Sequence, residues 1–406
     1  MLKLVCDSCS RVFPASEKRI LCECGGLLHV EAASVDVSWE TLRSRRYRLW
    51  RYRELIPLPP GAPIVSLDEG GSPLIQAIRL SEELKVNIMV KLEGSNPTGS
   101  FKDRGMTVAT SIAKFLGSKA LIAASTGNTA ASMSAYARRA GMIPIVLIPS
   151  GKVAEGKLGQ LQLYGSVIVE VEGGFDEAMR AVLEYSIGGG DAYIVNSVNP
   201  WRIEGQKTIA FEVADEAGVP DWVVVPVGNG GNIYSIWKGF KELKDLGLTD
   251  KLPRMLGVQA EGAAPIAKAY TTKVYEPIKE PKTIASAIRI GNPVHWKRVL
   301  NVARESGGSI ISVSDEEIIW AHRALARLEG LGVESSSATT LAGLKKAISE
   351  KLVDKNEKIV FIATGNALKE PQTMNLHEAA TMKMSTLKIV NTTALSEVLK
   401  SITKNA

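Results

Sequence analysis

Cysteine and histidine are both scarce in this chain, with only four of each among its 406 residues. The cysteines all lie within the first 24 residues, so no disulfide can brace the remainder of the chain. In a reducing compartment such a cluster favours metal binding over disulfide formation. None of the histidines follows a predicted strand with an acidic residue close by in sequence. We therefore expect all four to be structural, with His295 the one placed to approach a cleft.

The chain also lacks a long apolar run and a strong excess of one charge. No segment approaches the roughly 20 apolar residues of a membrane-spanning helix, and the N-terminal MLKLVCDSCS lacks the apolar core of a signal peptide. The net charge is only +6, because 43 acidic residues offset 49 basic ones. We therefore expect a cytoplasmic protein that binds neither a membrane nor nucleic acid. The densest basic run, residues 43–53, is interpreted as one helix that packs Leu49, Trp50 and Tyr52 inward and leaves a solvated basic side.

From about residue 64 onward, short apolar runs alternate with amphipathic ones. Several apolar runs show no alternation with polar residues, which is typical of strands buried on both faces of a parallel sheet. Amphipathic runs at 130–141 and 175–186 predict helices between strands, which is the βαβ order of an α/β protein. The predicted strands are 87–92, 120–125, 143–149, 166–171, 193–197, 222–227, 254–260 and 358–364. Near the end of the chain, residues 393–402 predict a peripheral helix.

A glycine-rich turn follows the predicted strand at 222–227. Residues 228–232 read GNGGN and precede a helical run. The backbone N–H groups of such a turn converge on an anion, and the helix N-terminus adds roughly half a positive charge. An ordinary turn needs fewer glycines, so this composition favours a phosphate site. Ile233 stands at the sixth position of the dinucleotide pattern and no GK[ST] follows, so a single phosphate is expected.

Three further polar segments lie at predicted strand ends or helix starts. Lys102, within SFKDRG, begins a helical run. The partial positive charge at the helix N-terminus lowers the pKa of such a lysine, and partial burial lowers it further. Both effects favour the neutral amine, which is the form that reacts with an aldehyde. Residues 125–129 offer hydroxyls at the start of another helix, and Thr364 ends the last predicted strand. Because ligands bind beyond the carboxyl ends of parallel strands, we expect these segments and the turn at 228–232 to line one crevice.

These segments, in this order, resemble the type II fold of pyridoxal-phosphate enzymes and, within that group, the threonine synthase family. The resemblance runs to about residue 371 and is carried by the leading cysteines, LWRYRELIP, LDEGGSPLI, NPTGSFKDRGM, ASTGNTAAS, NSVNPWRIEGQKT, VGNGGN, VQAEGAAPI, TIASAIRIGNP and the last TGN. It implies an α/β fold like that of the tryptophan synthase β subunit, with the cofactor between two parallel-sheet domains. The expected division is a cysteine knuckle at 1–34, a small domain at 98–198, and a large domain at 35–97 and 199–406.

The resemblance also implies a role for each segment. Lys102 would carry pyridoxal 5'-phosphate covalently, Asn128 would bond the ring hydroxyl, and Thr364 would bond the pyridine nitrogen. A hydroxyl can donate to an unprotonated nitrogen, which weakens the electron sink relative to a protonated ring. The cofactor phosphate would be held by Gly228, Asn229, Gly230, Gly231 and Asn232, and the substrate carboxylate by Ser125, Thr126 and Thr129.

A second phosphate site, for a phosphorylated amino-acid substrate, is implied after the strand at 193–197. The family uses this segment for the substrate phosphate, which here places Ser197, Asn199 and Arg202 in that role. The planar guanidinium of an arginine matches the oxygens of a phosphate. The implied reaction converts O-phospho-L-homoserine and water into L-threonine and phosphate.

Two positions depart from the family pattern. Asn366 stands where the family has histidine after Thr-Gly, and Gly230 stands where the turn usually has alanine. The change at Asn366 leaves open a sister reaction, in which cysteate forms from phosphoserine and sulfite. A serine or threonine dehydratase, which needs no substrate-phosphate site, is a second alternative. A non-catalytic sensor or nucleic-acid binder would not require Lys102 to react.

The cysteines form the pairs Cys6-x2-Cys9 and Cys22-x-Cys24. Four thiolates suit a closed tetrahedral zinc site, which leaves no open position for catalysis. The second pair is tighter than the usual CxxC, so a knuckle that has lost its metal is the alternative. A homodimer is expected only by analogy with the fold group.

Overall fold

Three sheets and the helices around them form the part of the chain that the computed structural model describes, residues 2–150, 155–173, 175–187 and 191–371. The strands are β1 (Lys3–Cys6), β2 (Val12–Pro14), β3 (Leu28–Glu31), β4 (Leu74–Gln76), β5 (Asn87–Leu92), β6 (Ala120–Ala124), β7 (Ile143–Pro149), β8 (Val167–Val171), β9 (Ala192–Ile194), β10 (Trp222–Pro226), β11 (Arg254–Ala260), β12 (Ser309–Val313) and β13 (Lys358–Ala363). The α-helices are α1 (Trp39–Arg43), α2 (Ile78–Leu84), α3 (Lys102–Phe115), α4 (Asn128–Ala140), α5 (Glu155–Leu163), α6 (Phe175–Ile187), α7 (Pro200–Gln206), α8 (Thr208–Ala217), α9 (Gly231–Asp245), α10 (Pro265–Thr272), α11 (Trp296–Glu305), α12 (Asp315–Glu329) and α13 (Ser335–Ser349). Short 3₁₀ helices lie at Leu49–Leu55, Glu93–Ser95, Glu261–Ala263, Ser286–Ile288 and Ala367–Lys369. The helix predicted at 393–402 lies outside the described residues.

The larger sheet has six strands in the order β12–β11–β10–β13–β5–β4, and all neighbours run parallel except β4 and β5. Every residue of β10 is buried, as its unbroken apolar run predicts. Val223 and Val225 pack in one core cluster with Phe240 of α9. Val224 points the other way, into a second cluster with Leu341 of α13. Helices therefore cover both faces of this sheet.

The smaller parallel sheet has four strands in the order β8–β7–β6–β9. Helices α4 and α6 pack against its two central strands. The strand predicted at 193–197 is shorter than expected and ends at Ile194. The residues after it form the loop that leads into α7 and carries Ser197. Within the described residues, no helix is both long and apolar enough to cross a membrane.

The cysteine knuckle contains a small antiparallel sheet with the strand order β2–β1–β3. Leu4, Phe13 and Leu28 are buried beneath it, and they belong to the same hydrophobic cluster as Trp201 of α7. The knuckle is therefore packed onto the rest of the protein through apolar contacts.

The prediction of one helix over residues 43–53 is wrong. Helix α1 ends at Arg43, and a separate 3₁₀ helix begins at Leu49 after Arg48, whose backbone is extended (φ −152°, ψ 172°). Leu49 and Tyr52 are fully buried as expected. Arg43, Arg46 and Arg53 are more than half exposed, as expected of a solvated basic side. Each arginine of the run also pairs with a carboxylate: Arg43 and Arg51 with Asp215, Arg45 and Arg53 with Glu54, and Arg46 and Arg48 with Asp68.

Candidate active site

The loop that precedes Lys102 is tied to the end of β13 by backbone hydrogen bonds. The Phe101 N–H donates to the Thr364 carbonyl at 3.0 Å, and the Asn366 N–H donates to the Gly99 carbonyl at 3.0 Å. Lys102 is then the first residue of α3. Two segments more than 260 residues apart in sequence therefore meet at the carboxyl end of the larger sheet.

One pocket brings together most of the residues predicted to act. Its walls include Lys102, Asn128, Ser197, Arg202, Gly228, Asn229, Gly230, Gly231, Asn232 and Thr364. It is also lined by Phe101, Ile203, Gln206, Pro226, Ala287, Ile288, Glu334 and Ser336. The predicted residues that line it follow or precede the strand ends of both parallel sheets. The crevice expected from the sequence is therefore present.

Lys102 and Arg202 meet because two helices touch backbone to backbone. A Cβ on Gly205 of α7 would lie 1.8 Å from the carbonyl oxygen of Arg104 in α3. A Cβ on Gly105 of α3 would lie 2.9 Å from the carbonyl oxygen of Arg202. Side chains at either position would force the helices apart, so the two glycines permit the close crossing.

The environment of Lys102 favours its neutral amine. Burial lowers its pKa, the nearby positive charge of Arg202 lowers it further, and the negative charge of Glu334 opposes both, leaving a pKa of about 7. Burial, which the sequence predicted in part, and the neighbouring cation of Arg202 are the causes of this shift, and Lys102 is the first residue of α3 as expected. The Lys102 ammonium nitrogen also lies 4.2 Å from the centre of the Phe101 ring. An amine with this pKa is a suitable nucleophile for an aldehyde near neutral pH.

The turn at 228–232 fits a phosphate. Helix α9 begins at Gly231, and its N-cap residue Gly230 provides no side-chain hydrogen bond, so its first N–H groups are free to meet an anion. Asn232 is 7% exposed, yet neither its side-chain oxygen nor its nitrogen has a partner. A Cβ on Gly230 (φ +86°) would lie 2.3 Å from Cγ2 of Val299, which explains why alanine is absent there in this chain.

Arg202 is a second group in the pocket wall that suits an anion. Its side chain is buried, with one Nη donating to the Val195 carbonyl at 3.0 Å and its Nε left without a partner. Burial lowers the pKa of Arg202 to about 10, so the guanidinium remains charged at neutral pH. Arg202 is thus a buried cation in the wall of the pocket, and a guanidinium in such a place favours binding of a phosphate.

Four predicted substrate residues do not line the pocket. Asn199 is fully buried and is the N-cap residue of α7. Its side-chain oxygen accepts from the Trp201 N–H at 3.0 Å, and its side-chain nitrogen donates to the Ile194 carbonyl at 2.7 Å. Asn199 therefore shapes the loop that carries Ser197. Ser125, Thr126 and Thr129 are partly exposed beside Asn128, at the start of α4, and are not part of the pocket wall itself.

Glu334 is a residue of the site that the sequence did not reveal. Its carboxylate is 2% exposed and accepts hydrogen bonds from the Asn128 amide and from the Thr364 hydroxyl, both at 2.8 Å. Burial raises its pKa, and the charge of Glu370 raises it further. In sequence Glu334 is only an acidic residue before a helix, which is too common a feature to signal function. Its side chain turns into the pocket instead of capping α13.

Asn366 stands at the position where the family pattern has a histidine, and its side chain caps a turn. Its side-chain oxygen accepts from the Leu368 N–H at 2.9 Å and so caps the short 3₁₀ helix at Ala367–Lys369. The chain just after Thr364 therefore forms a turn, and position 366 provides no imidazole that could exchange a proton.

The four cysteine sulfurs lie together, all within 4.8 Å of one another. The Cys6–Cys24 and Cys9–Cys22 sulfur distances are 3.6 Å, and the Cys9–Cys24 distance is 3.5 Å. Zinc–sulfur bonds of about 2.3 Å in a tetrahedron place sulfurs about 3.8 Å apart. The tight CxC pair therefore does not prevent a four-thiolate site.

Comparison with known proteins identifies a family for this chain. A family model described as "Pyridoxal-phosphate dependent enzyme" matches residues 65–365. The threonine synthase of Methanocaldococcus jannaschii is 49% identical over 375 residues, which cover 90% of this chain and 92% of that protein. The chain belongs to the threonine synthase family. The threonine synthase of Bacillus sp. (strain ULM1) is also 49% identical, over 80% of this chain and 90% of its own length.

Solved structures support the fold of this threonine synthase family member. Threonine synthase from Escherichia coli superposes with a TM-score of 0.73 at 17% identity, covering 98% of this chain and all of that one. The processed form of threonine deaminase isoform 2 from Solanum lycopersicum gives 0.67 at 24% identity, covering 82% of this chain and 94% of that one. The predicted type II α/β fold is thereby confirmed, and the chain is a pyridoxal-phosphate-dependent enzyme.

Proposed function

We propose that this protein converts O-phospho-L-homoserine and water into L-threonine and phosphate. The observation that supports the proposal is that Lys102, the turn at 228–232 and the buried Arg202 all line one pocket. The free N–H groups of α9 suit the cofactor phosphate, and the unpartnered Nε of Arg202 suits a phosphate on the substrate. An enzyme that acts on an unphosphorylated amino acid would have no use for the second site.

Lys102 would act first as the attachment point of the cofactor and then as a base. Bound pyridoxal phosphate supplies an aldehyde for the substrate amine and a ring that stabilises a carbanion. With a pKa of about 7, the Lys102 amine can take the proton from the α-carbon of the substrate and hold it at Nζ near neutral pH. A proton then leaves the β-carbon and phosphate leaves the γ-carbon, which takes up a proton to become the methyl group. Water adds its hydroxyl at the β-carbon, and the α-carbon regains a proton, so that threonine and phosphate are the products. Arg202 would hold the phosphate oxygens through these steps.

The remaining predicted residues, in the pocket wall and beside it, would orient the two ligands. We propose that Asn128 bonds the ring hydroxyl of the cofactor and that Thr364 bonds its pyridine nitrogen. Residues 228–232 would hold its phosphate. Ser125, Thr126 and Thr129, at the free start of α4, would meet the substrate carboxylate, and Ser197 would lie beside the substrate phosphate.

We further propose that the cysteine knuckle holds one structural zinc ion on its four thiolates. The sulfur distances near 3.6 Å support this proposal. With four protein ligands no coordination position would be open to substrate, so the metal would hold the knuckle together and take no part in the reaction. Elemental analysis of the purified protein should find about one zinc per chain. Thiols held for a metal also suit the reducing cytoplasm.

The small domain at 98–198 and the large domain at 35–97 and 199–406 remain our proposed division for the rest of the chain. It is supported by strands β6 to β9, which all lie within 98–198 and form a sheet of their own.

A three-substrate assay tests the proposed reaction. Phosphohomoserine alone, phosphoserine with sulfite, and threonine alone are supplied separately, and the products are identified. Threonine and phosphate from the first mixture are expected. Cysteate from the second would establish the sister reaction, and keto acid from threonine with no turnover of phosphohomoserine would rule the proposal out. Lys102→Ala should abolish turnover and the visible absorbance of the bound cofactor, whereas Lys114→Ala, on the exposed end of the same helix, should retain both.

A further inference from the structure

His295 lies directly behind the pocket and connects its two anion-binding segments. It is 1% exposed, and its Nε2 lies 2.9 Å from the carbonyl oxygen of Ser197, in the loop before Arg202. Its backbone N–H donates to the Asn229 carbonyl at 3.1 Å, within the turn that suits the cofactor phosphate. One residue therefore braces both segments from outside the pocket.

The contacts of His295 determine the direction of its hydrogen bonds. A backbone carbonyl can only accept, so Nε2 must carry the proton that reaches Ser197. Nδ1 is then an acceptor, and it lies 3.3 Å from Nη1 of Arg298, which can only donate. The imidazole is thus neutral, and its orientation depends on where Arg298 is held.

Arg298 is held by the cysteine knuckle. Its Nε donates to a carboxylate oxygen of Asp7 at 2.7 Å, and its Nη2 donates to the Leu28 carbonyl at 2.9 Å. Asp7 follows Cys6 directly, so it belongs to the loop that carries two of the four sulfurs. A second contact points the same way, because α7, which carries Arg202, packs against β3 of the knuckle.

We propose that Asp7, Arg298 and His295 form a relay through which the metal-binding knuckle positions the substrate-phosphate site. The relay rests on the proposed function in one respect, since it assumes that Arg202 receives the phosphate of the substrate. Four thiolates gathered on a metal hold the Asp7 loop, Asp7 orients Arg298, Arg298 orients His295, and His295 holds the Ser197 loop. Losing the metal would then weaken phosphate binding without touching Lys102.

Titration calorimetry of the holoenzyme with inorganic phosphate tests the relay without any need for turnover. Bound cofactor occupies the turn at 228–232, so added phosphate reports on the Arg202 site. Asp7→Asn and Arg298→Lys should each raise the phosphate Kd about tenfold, because small misplacements of a binding group have effects of this order. Lys3→Gln is the matched control, since it breaks only an exposed pair with Glu31 in the same knuckle and should leave the Kd unchanged.

Metal content and a double-mutant cycle separate the relay from general damage. Wild-type holoenzyme stripped of metal by a chelator should show the same rise in Kd with the cofactor absorbance intact. The double variant Asp7→Asn with His295→Leu should bind phosphate no more weakly than His295→Leu alone, because both act on one path. Losses that add, or an unchanged Kd in Asp7→Asn and Arg298→Lys, would overturn the relay. Failure to form threonine would overturn the proposed function alone, since the phosphate titration reads a separate quantity.

Discussion

The Thr364 hydroxyl oxygen lies 2.8 Å from a carboxyl oxygen of Glu334, and the two share one hydrogen bond. Thr364 also lies 2.9 Å from the Ser337 hydroxyl, which accepts from the Gly365 N–H at 3.1 Å and is therefore free to donate to Thr364. If Glu334 is ionised, Thr364 has no proton left for a ring nitrogen. If Glu334 is protonated, it can donate to Thr364, whose own proton is then available. Burial raises the pKa of Glu334 and so favours the second arrangement.

Replacing Glu334 with glutamine therefore tests whether the ionised or the protonated carboxyl supports cofactor binding and turnover. In Glu334→Gln the amide nitrogen can donate to Thr364 while the amide oxygen accepts from Asn128, as a protonated carboxyl would. We expect cofactor affinity and turnover within about threefold of wild type. Glu334→Leu leaves the Asn128 amide and Thr364 without a buried partner, so cofactor affinity should fall about tenfold or more. Equilibrium dialysis with the cofactor measures both variants. Equal damage in the two would mean that the ionised carboxylate is required.

Covalent attachment of the cofactor should depend on pH through Lys102. Only the neutral amine reacts, so the attachment rate should rise through a midpoint near pH 7 and level off above it. Arg202→Met removes a positive charge that lowers the pKa of Lys102, so the midpoint should move to higher pH. Stopped-flow absorbance after cofactor is added to the apoprotein gives both midpoints. Arg304→Met, an exposed substitution on α11, should leave the midpoint in place, and an unmoved midpoint in Arg202→Met would contradict the proposed coupling.

The helix crossing at Gly205 should be intolerant of a single methyl group. Because the Arg104 carbonyl would lie 1.8 Å from the new Cβ, Gly205→Ala must push α7 away from α3. We expect a loss of about 1–3 kcal/mol in the free energy of unfolding and a higher Lys102 midpoint, since Arg202 moves with α7. Gly159→Ala, also within a helix but with open space at its Cβ, is the control and should be neutral or stabilising. Urea denaturation monitored by fluorescence gives the free energies, and equal stability of the two variants would argue against the close crossing.

A buried ion-pair network beneath the pocket should be sensitive to the loss of Arg104. Its guanidinium is fully buried and bonds the carboxylates of Glu93 and Glu212 at 2.6 Å. Arg104→Met leaves both carboxylates without their main partner, so unfolding free energy should fall by about 3–5 kcal/mol. Lys119→Met removes an exposed pair with Asp191 and should cost at most about 1 kcal/mol. Similar losses in both variants would show that burial does not set the cost.

Local sequence was enough to predict much of the fold. The strands at 143–149 and 254–260 have the bounds that the sequence predicts, because mainly apolar residues in a short run favour a strand of a parallel sheet. The turn at 228–232 and Lys102 could be identified for a similar reason, since their chemistry depends on adjacent residues. The helix predicted over 43–53 is interrupted between Arg43 and Leu49, and no local pattern indicates that Arg43 and Arg51 would pair with the distant Asp215.

The parallel α/β class, the segments that line the pocket and the cysteine cluster could therefore all be identified from the sequence. The packing of distant segments, in contrast, was needed to see that Glu334 joins Asn128 to Thr364, that Asn199 serves as a helix cap, and that Arg298 links the knuckle to the pocket. The physical reason is that a motif read from sequence reports on neighbours along the chain. A buried hydrogen bond between distant residues depends on how helices and sheets pack, and no local pattern records its partner.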